Sequence, residues 1–301
     1  MKCIIFLHST TGNTRLVARF AAEQLKEAGH ECSIHDITRH RDPPPLDDVD
    51  LIGIACSTMY WRPTQAMERF VARLPAASPH PKPAFQIATA SGDPGSHFAL
   101  VAEQLQYKDW ITLHAWFVPM VNNWPPHRAL AEKVPLASTI ATSVEAKAPG
   151  RYHNLSLLWP DLGEPRPRHR DGLVDFLRDI TRRAEAGDLS GARPPDKLFK
   201  GNRLFAAIGR LMTVEQMRQT TDIRIDSNRC GRCGTCVKLC PVDCLTRDGE
   251  DDVPRVGTTC TGCWTCFNHC PDQAISGWAS PAGAGQFPGP SVEARELFRT
   301  K

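Results

Sequence analysis

Apolar residues in the first part of the chain come in short unbroken runs, each followed by apolar positions at helical spacing. Residues 3–7 (Cys-Ile-Ile-Phe-Leu) form one such run, as expected for a strand buried on both faces of a parallel sheet. Leu16, Val17, Phe20, Ala21 and Leu25 then recur at helical steps. The alternation continues with strands predicted at 32–37, 50–56, 84–90 and 111–121, helices at 64–74 and 96–107, and a turn at 42–48. Such alternation predicts an α/β domain, an open parallel five-stranded sheet with helices on both faces. Periodicity stops at Asn122-Asn123-Trp124-Pro125-Pro126. A long irregular stretch at about 122–170 inside a domain suggests a lid or binding loop. It resumes at 171–186, where Leu173, Val174, Leu177 and Ile180 share one face of a closing helix.

A Gly- and Pro-bearing linker follows at 187–195. Beyond it Leu204, Phe205, Ile208, Leu211 and Met212 form an apolar stripe ringed by Lys197, Lys200, Arg203 and Arg210. A basic amphipathic helix of this kind suits a membrane surface. The preferred reading is that it packs between two domains. The tail after Trp278 is rich in Gly, Pro, Ser and Ala, and is expected to be loosely ordered.

Twelve cysteines change the picture, because eight fall in two near-identical runs. One is Cys230, Cys233, Cys236 and Cys240 followed by Pro241; the other is Cys260, Cys263, Cys266 and Cys270 followed by Pro271. Three cysteines at steps of three turn around one Fe–S cube, and the fourth lies too far along to close it, so it ligates the other cube. One cluster therefore takes Cys230, Cys233, Cys236 and Cys270, the other Cys260, Cys263, Cys266 and Cys240. Zinc is the rival, but structural zinc sites pair C-x-x-C ligands around one tetrahedral ion and fit this spacing poorly. The runs form an internal repeat, with Asp222-Ile223 answering Asp252-Val253. Cys244 aligns with Ala274, which makes it a buried thiol rather than a ninth ligand. Cys3, Cys32 and Cys56 fall in predicted strands and read as core thiols. Residues 222–278 resemble the two-cluster bacterial ferredoxins throughout.

Three loops follow predicted strands, at the ends where ligands of open α/β sheets bind. The first, Ser9-Thr10-Thr11-Gly12-Asn13-Thr14, leads into a helix N-terminus. Backbone N–H groups, the helix dipole and hydroxyls there suit a phosphate, although the same residues also serve as a plain N-cap. Ser9-x-Thr11-Gly12-x-Thr14 resembles the phosphate loop of flavodoxins, and the following segments keep that family's order. The resemblance implies a flavodoxin-like sheet of order 2-1-3-4-5 and FMN. The second loop, Ser57-Thr58-Met59-Tyr60-Trp61, offers Tyr60 or Trp61 as flat cover for the flavin ring, or Trp61 as simple packing. The third, Thr89-Ala90-Ser91-Gly92 through Gly95, offers backbone N–H groups to the ring's polar edge. It lacks the aromatic residue usual in flavodoxins, which would leave one flavin face open. Asn122, Asn123, Tyr152 and His153 are candidate substrate contacts, or ordinary turn and surface residues.

Composition adds limits. A net charge of +3 and the lack of basic runs interleaved with aromatics argue against nucleic acid. The N-terminus turns polar too soon for a signal peptide, and no apolar run reaches membrane-spanning length. With eight cysteines reserved as thiolates, a reducing cytoplasm is expected. No NAD(P) fingerprint is present.

The expected organisation is a flavodoxin-like domain at 1–189, a linker and amphipathic helix at 190–221, a small α+β two-cluster ferredoxin domain at 222–278, and a tail at 279–301. Nearly the whole chain resembles the flavodoxin–ferredoxin fusion family. That resemblance implies FMN, two [4Fe–4S] clusters and electron transfer; the third-loop departure and the long 122–170 segment favour an oxidoreductase. An electron-donor protein, a ferredoxin or reductase, would load the clusters, and the flavin would reduce a small molecule. The alternative is a pure electron carrier between redox partners. An oligomer is compatible with either.

Overall fold

A computed structural model describes residues 1–38, 40–126, 128 and 164–300. The N-terminal part runs β1 (Lys2–His8), α1 (Asn13–Glu27), β2 (Glu31–Asp36), β3 (Leu51–Met59), β4 (Arg62–Pro63), α2 (Gln65–Arg73), β5 (Lys82–Ala90), α3 (His97–Gln106) and β6 (Trp110–Pro119). The main strands lie in the order β2-β1-β3-β5-β6, all parallel, which is the flavodoxin-like doubly wound order. The two-residue β4 was not expected; it pairs antiparallel with the end of β3.

Alternation within β1 explains its unbroken apolar run. Cys3, Ile5 and Leu7 join a core with Val17, Phe20 and Leu25 of α1, while Ile4 and Phe6 join a second core with Met67 and Phe70 of α2. Both faces are covered, so no position along the strand can be polar without cost. Helix α4 (Pro167–Glu185) closes the first core through Leu173, Phe176, Leu177 and Ile180. It begins four residues earlier than the apolar periodicity suggests, because Pro167 at its first turn needs no N–H partner.

The linker is more structured than its composition implies. Leu198 packs with Phe98 of α3, and α5 (Arg203–Leu211) follows, capped by Asn202. Gly209 of α5 is buried where a Cβ would come 2.3 Å from the Trp61 carbonyl oxygen, so this helix lies directly on the β3–β4 turn. Leu204 and Leu211 on its outer side stay exposed. Helix α6 (Val214–Thr221) follows, with a reciprocal Thr213–Gln216 capping box.

The C-terminal part is built of β7 (Arg224–Ile225), α7 (Thr235–Lys238), β8 (Leu245–Thr246), β9 (Arg255–Val256), α8 (Thr265–Asn268) and β10 (Ile275–Ser276). The strand before the first cysteine run pairs with the strand after the second, and β8 pairs with β9. The repeat extends to the backbone: left-handed residues recur at Arg232 and Gly262, Gly234 and Trp264, and Asp243 and Gln273. One expectation is overturned. The tail after Trp278 is not loose; it ends in α9 (Val292–Leu297), and Ala294 and Phe298 are buried in the first core. Phe298 meets Phe20 edge-on with ring centroids 5.5 Å apart. A few well-placed apolar residues anchor a segment whose average composition looks disordered.

Candidate functional site

A cavity of about 780 Å³ opens at the carboxyl ends of the strands. That volume suits a cofactor or small ligand, whose sites commonly span roughly 300–1,000 Å³. Ser9, Thr10, Thr11, Asn13 and Thr14 form one side; Ser57 to Trp61 and Thr89 to Asp93 form the next two. Met120 to Trp124 close a fourth side, and Met212, Gln216, Gln219, Thr220 and Trp278 complete the wall.

The first loop is held by its own hydroxyls. The Ser9 hydroxyl accepts from the N–H of Gly12 at 3.1 Å and of Arg15 at 3.2 Å, which folds the loop back over the start of α1. Asn123 donates its side-chain N–H to the hydroxyl oxygens of Thr10 (3.1 Å) and Thr11 (2.7 Å). With those oxygens occupied as acceptors, the Thr10 and Thr11 O–H groups are left to donate to a ligand. Thr14 and Thr89 share a 2.7 Å hydroxyl contact, which ties the first loop to the third. Asn13 reaches the Val121 carbonyl at 3.1 Å. Among the described residues the cavity wall carries no Lys or Arg, so what they offer a phosphate is the helix N-terminus and hydroxyls.

The second loop differs from expectation. Ser57, Thr58 and Met59 belong to β3, and only Tyr60 and Trp61 form the turn. Both have positive φ (52° and 58°), the conformation of a two-residue hairpin that matches strand twist. Bulky residues there are strained, and strain of this kind clusters at ligand sites. The turn is fixed from outside. The Trp61 ring stacks on Phe205 at 5.1 Å, its carbonyl accepts from the Ser96 N–H at 2.8 Å, and the Tyr60 hydroxyl meets that of Thr221 at 2.8 Å. Trp61 thus packs α5 while also lining the cavity.

Two buried histidines stand behind these strands. His97 Nδ1 meets the Thr58 hydroxyl at 2.9 Å, and burial pushes its pKa down to about 3. His8 Nδ1 meets the Thr64 hydroxyl at 2.8 Å, and burial lowers it to about 4. Both are neutral supports.

The third loop is pinned by Asp93, whose carboxylate accepts from the N–H of Gly95 (2.8 Å) and Asn202 (2.7 Å). Gly12 and Gly95 do not line the cavity; they shape its loops. Tyr152 and His153 lie outside the described residues. Trp124 and Trp278 stack at 6.4 Å and 20° to make an aromatic wall that local patterning could not indicate. Each tryptophan sits in an irregular stretch, and only the packing of the two halves pairs them.

The run cysteines lie in two adjoining places, and Cys236 and Cys270 of the first pack against the second. Cys230, Cys233, Cys236 and Cys270 line one small cavity. Cys240, Cys260 and Cys266 lie together in a buried core that also includes Cys244. Burial raises the Cys263 thiol to about 11. Among the described residues no three such side chains converge as they would on one ion. Backbone N–H groups support the fourth cysteine of each run: Cys244 donates to Cys240 Sγ at 3.2 Å, and Ala274 to Cys270 Sγ at 3.3 Å. Cys244 is buried, with its sulfur 3.5 Å from that of Cys240.

The cavity and the second run touch. Met59 and Trp124 pack against the second cysteine core. His269 Nε2 lies 2.9 Å from the Thr10 carbonyl oxygen, and Asn268 donates to the Asn123 carbonyl at 3.3 Å.

Comparison with known proteins adds one family. The 4Fe–4S binding domain matches residues 223–246, which hold the first cysteine run. No curated protein matches the chain. Among solved structures, a flavodoxin from the domain Archaea is 23% identical over 37% of this chain and 78% of its own, with a TM-score of 0.32. RosB with a bound 8-demethyl-8-formylriboflavin-5'-phosphate intermediate is 10% identical over 69% and 84%, with a TM-score of 0.36. A putative quinone reductase from Klebsiella pneumoniae is 14% identical over 38% and 73%, with a TM-score of 0.29. No described helix is long and apolar enough to cross a membrane. From sheet order and family match together, the chain joins a sheet of flavodoxin-like order to a segment that matches the 4Fe–4S binding domain.

Proposed function

We propose that the chain is an iron–sulfur flavoprotein oxidoreductase that binds FMN in the large cavity and two [4Fe–4S] clusters on its eight run cysteines. An external electron-donor protein feeds it, and a small molecule is reduced at the flavin. Clusters pass single electrons, and a flavin collects them and delivers two together. The observation that carries this reading is the shared wall: the cavity at the strand ends abuts the buried cysteine set through Met59, Trp124 and the Tyr60–Thr221 contact.

In this reading Thr10, Thr11 and Thr14 hold the phosphate with the N-terminus of α1, and Asn123 orients the hydroxyls of Thr10 and Thr11 rather than contacting substrate. Tyr60, Trp61, Trp124 and Trp278 supply apolar and aromatic cover for a flat ring. Backbone N–H groups of residues 89–92 meet its polar edge. Cys230, Cys233, Cys236 and Cys270 hold one cluster, and Cys260, Cys263, Cys266 and Cys240 the other. The enzyme reading takes its support from the breadth of the cavity, which a carrier that only meets proteins at a flavin edge does not need. The proposed domain limits are those read from the sequence, with 1–189 carrying the flavin and 222–278 the clusters, and the proposed compartment is the cytoplasm.

Anaerobic purification with iron, sulfide and flavin quantified, followed by one-electron titration of the flavin band, tests this. About eight irons and one FMN per chain are expected, since each cube holds four irons. The reduced protein should then be reoxidised by a small molecule. Zinc in place of iron, or a chain that purifies without flavin after reconstitution, would overturn it.

A further inference from the structure

The two cysteine runs are near-identical in sequence and backbone, yet their surroundings differ. In the first loop Gly231, Arg232 and Cys233 are exposed. At the equivalent positions of the second, Thr261 and Gly262 are buried and Cys263 is half-buried. The cause is visible at Gly262. A Cβ there would lie 2.1 Å from Thr221 Oγ1 and 2.7 Å from the Tyr60 hydroxyl, so the cavity wall and α6 sit on this loop. The backbone contacts of the first loop stay local. The Gly231 N–H donates to Asp272, and the Arg232 carbonyl accepts from Arg247. Charges of both signs surround it, with Asp226, Arg229, Arg232 and Asp272 all exposed.

Resting on the flavoprotein reading above, we propose that the two clusters occupy fixed stations. The one on Cys240, Cys260, Cys263 and Cys266 serves the flavin pocket, and the one on Cys230, Cys233, Cys236 and Cys270 receives electrons from a one-electron redox protein docking over Cys233. Single-electron transfer weakens steeply with distance, so the cluster packed against the cavity wall has the advantage in serving the pocket. Only the other has a fully exposed ligand, Cys233. Each encounter oxidises the donor protein by one electron and reduces the exposed cluster by one. Two encounters supply the pair that a flavin takes up, with its protons drawn from water. The mixed charges around Cys233 form a polar rim of the kind seen at transient interfaces.

Limited treatment of the holoprotein with a chelator and a mild oxidant, with freed thiols alkylated and mapped by mass spectrometry, tests the order. Cys230, Cys233, Cys236 and Cys270 should label first and together, with loss of half the iron. The half-depleted protein should keep a flavin that dithionite reduces, and should lose reduction by an added acidic ferredoxin. In the intact protein Arg232→Glu should slow reduction by that ferredoxin about tenfold at low salt, with iron and flavin content unchanged. First labelling of Cys240, Cys260, Cys263 and Cys266 would overturn the assignment. So would undiminished ferredoxin-driven reduction of the half-depleted protein. A preparation lacking iron or flavin from the outset refutes the flavoprotein reading instead, and that is seen before any labelling.

Discussion

Gly262→Ala perturbs the seam between the two halves at a single atom. The residue has φ +64°, and its added Cβ would face Thr221 Oγ1, the Tyr60 hydroxyl and the Met217 carbonyl at 2.1, 2.7 and 3.1 Å. Thr221 has no exposed surface, and its hydroxyl already reaches the Met217 carbonyl at 2.6 Å, so it cannot rotate away freely. A left-handed alanine costs about 1–2 kcal/mol, overpacking about 1–3, and loss of the Tyr60–Thr221 hydrogen bond ~1, or about 3–6 kcal/mol in all. Arg232→Ala is the internal control. It occupies the equivalent position at φ 55° in an exposed loop, so the backbone strain is already present and the change should stay within about 0.5 kcal/mol. Urea unfolding of both variants, followed in the near-UV and at the cluster absorption band, reads the difference. Gly262→Ala should also slow flavin reduction through the clusters without lowering iron content. Equal stability of the two variants would refute the claim that close approach, rather than the left-handed turn, demands glycine here.

The other predictions concern charge, support and binding. Because His8 and His97 are neutral when buried, with pKa near 4 and 3, the unfolded chain binds more protons below about pH 6.5. Stability should therefore fall as pH drops from 6.5 toward 4, each histidine adding about 1.4 kcal/mol per pH unit. His97→Gln should flatten that slope in pH-dependent urea unfolding. Arg62 clamps Glu68 at 2.8–2.9 Å and the Met212 carbonyl at 2.6 Å, and both charged side chains are largely buried. Arg62→Met should cost about 3–5 kcal/mol by calorimetry, with much of it regained on adding Glu68→Gln. Phe298→Ala should cost about 3–5 kcal/mol in the same assay; a neutral result would mean the tail is not docked. Thr11→Val removes a hydroxyl donor from the phosphate loop and should weaken FMN binding by about 1.5–3 kcal/mol, read by flavin fluorescence titration.

What the chain states locally, it states well. The apolar runs of the strands, the helical steps behind them and the cysteine spacing each depend on neighbours a few residues away, and all three survive into the structure. The fold of the hydroxyl-rich loop was equally legible, since Ser9 carries the capping oxygen for the Gly12 and Arg15 N–H groups. The strand–helix boundaries moved by a few residues where turn chemistry intervened, as at Tyr60 and Trp61.

The remainder depends on residues far apart in sequence. Asn123 meets Thr11 only once the sheet is assembled, and Trp124 meets Trp278 and Tyr60 meets Thr221 only once the two halves are packed. The tail's composition pointed to disorder, yet Phe298 fills a gap beside Phe20 that no local pattern reveals. The sequence by itself determined the doubly wound sheet, the hydroxyl-rich loop after its first strand and two equivalent cysteine runs, because short-range periodicity and residue spacing encode them. Only the tertiary structure made the runs unequal, since burial is a property of what lies opposite a loop: Tyr60 and Thr221 cover Gly262, while water covers Arg232.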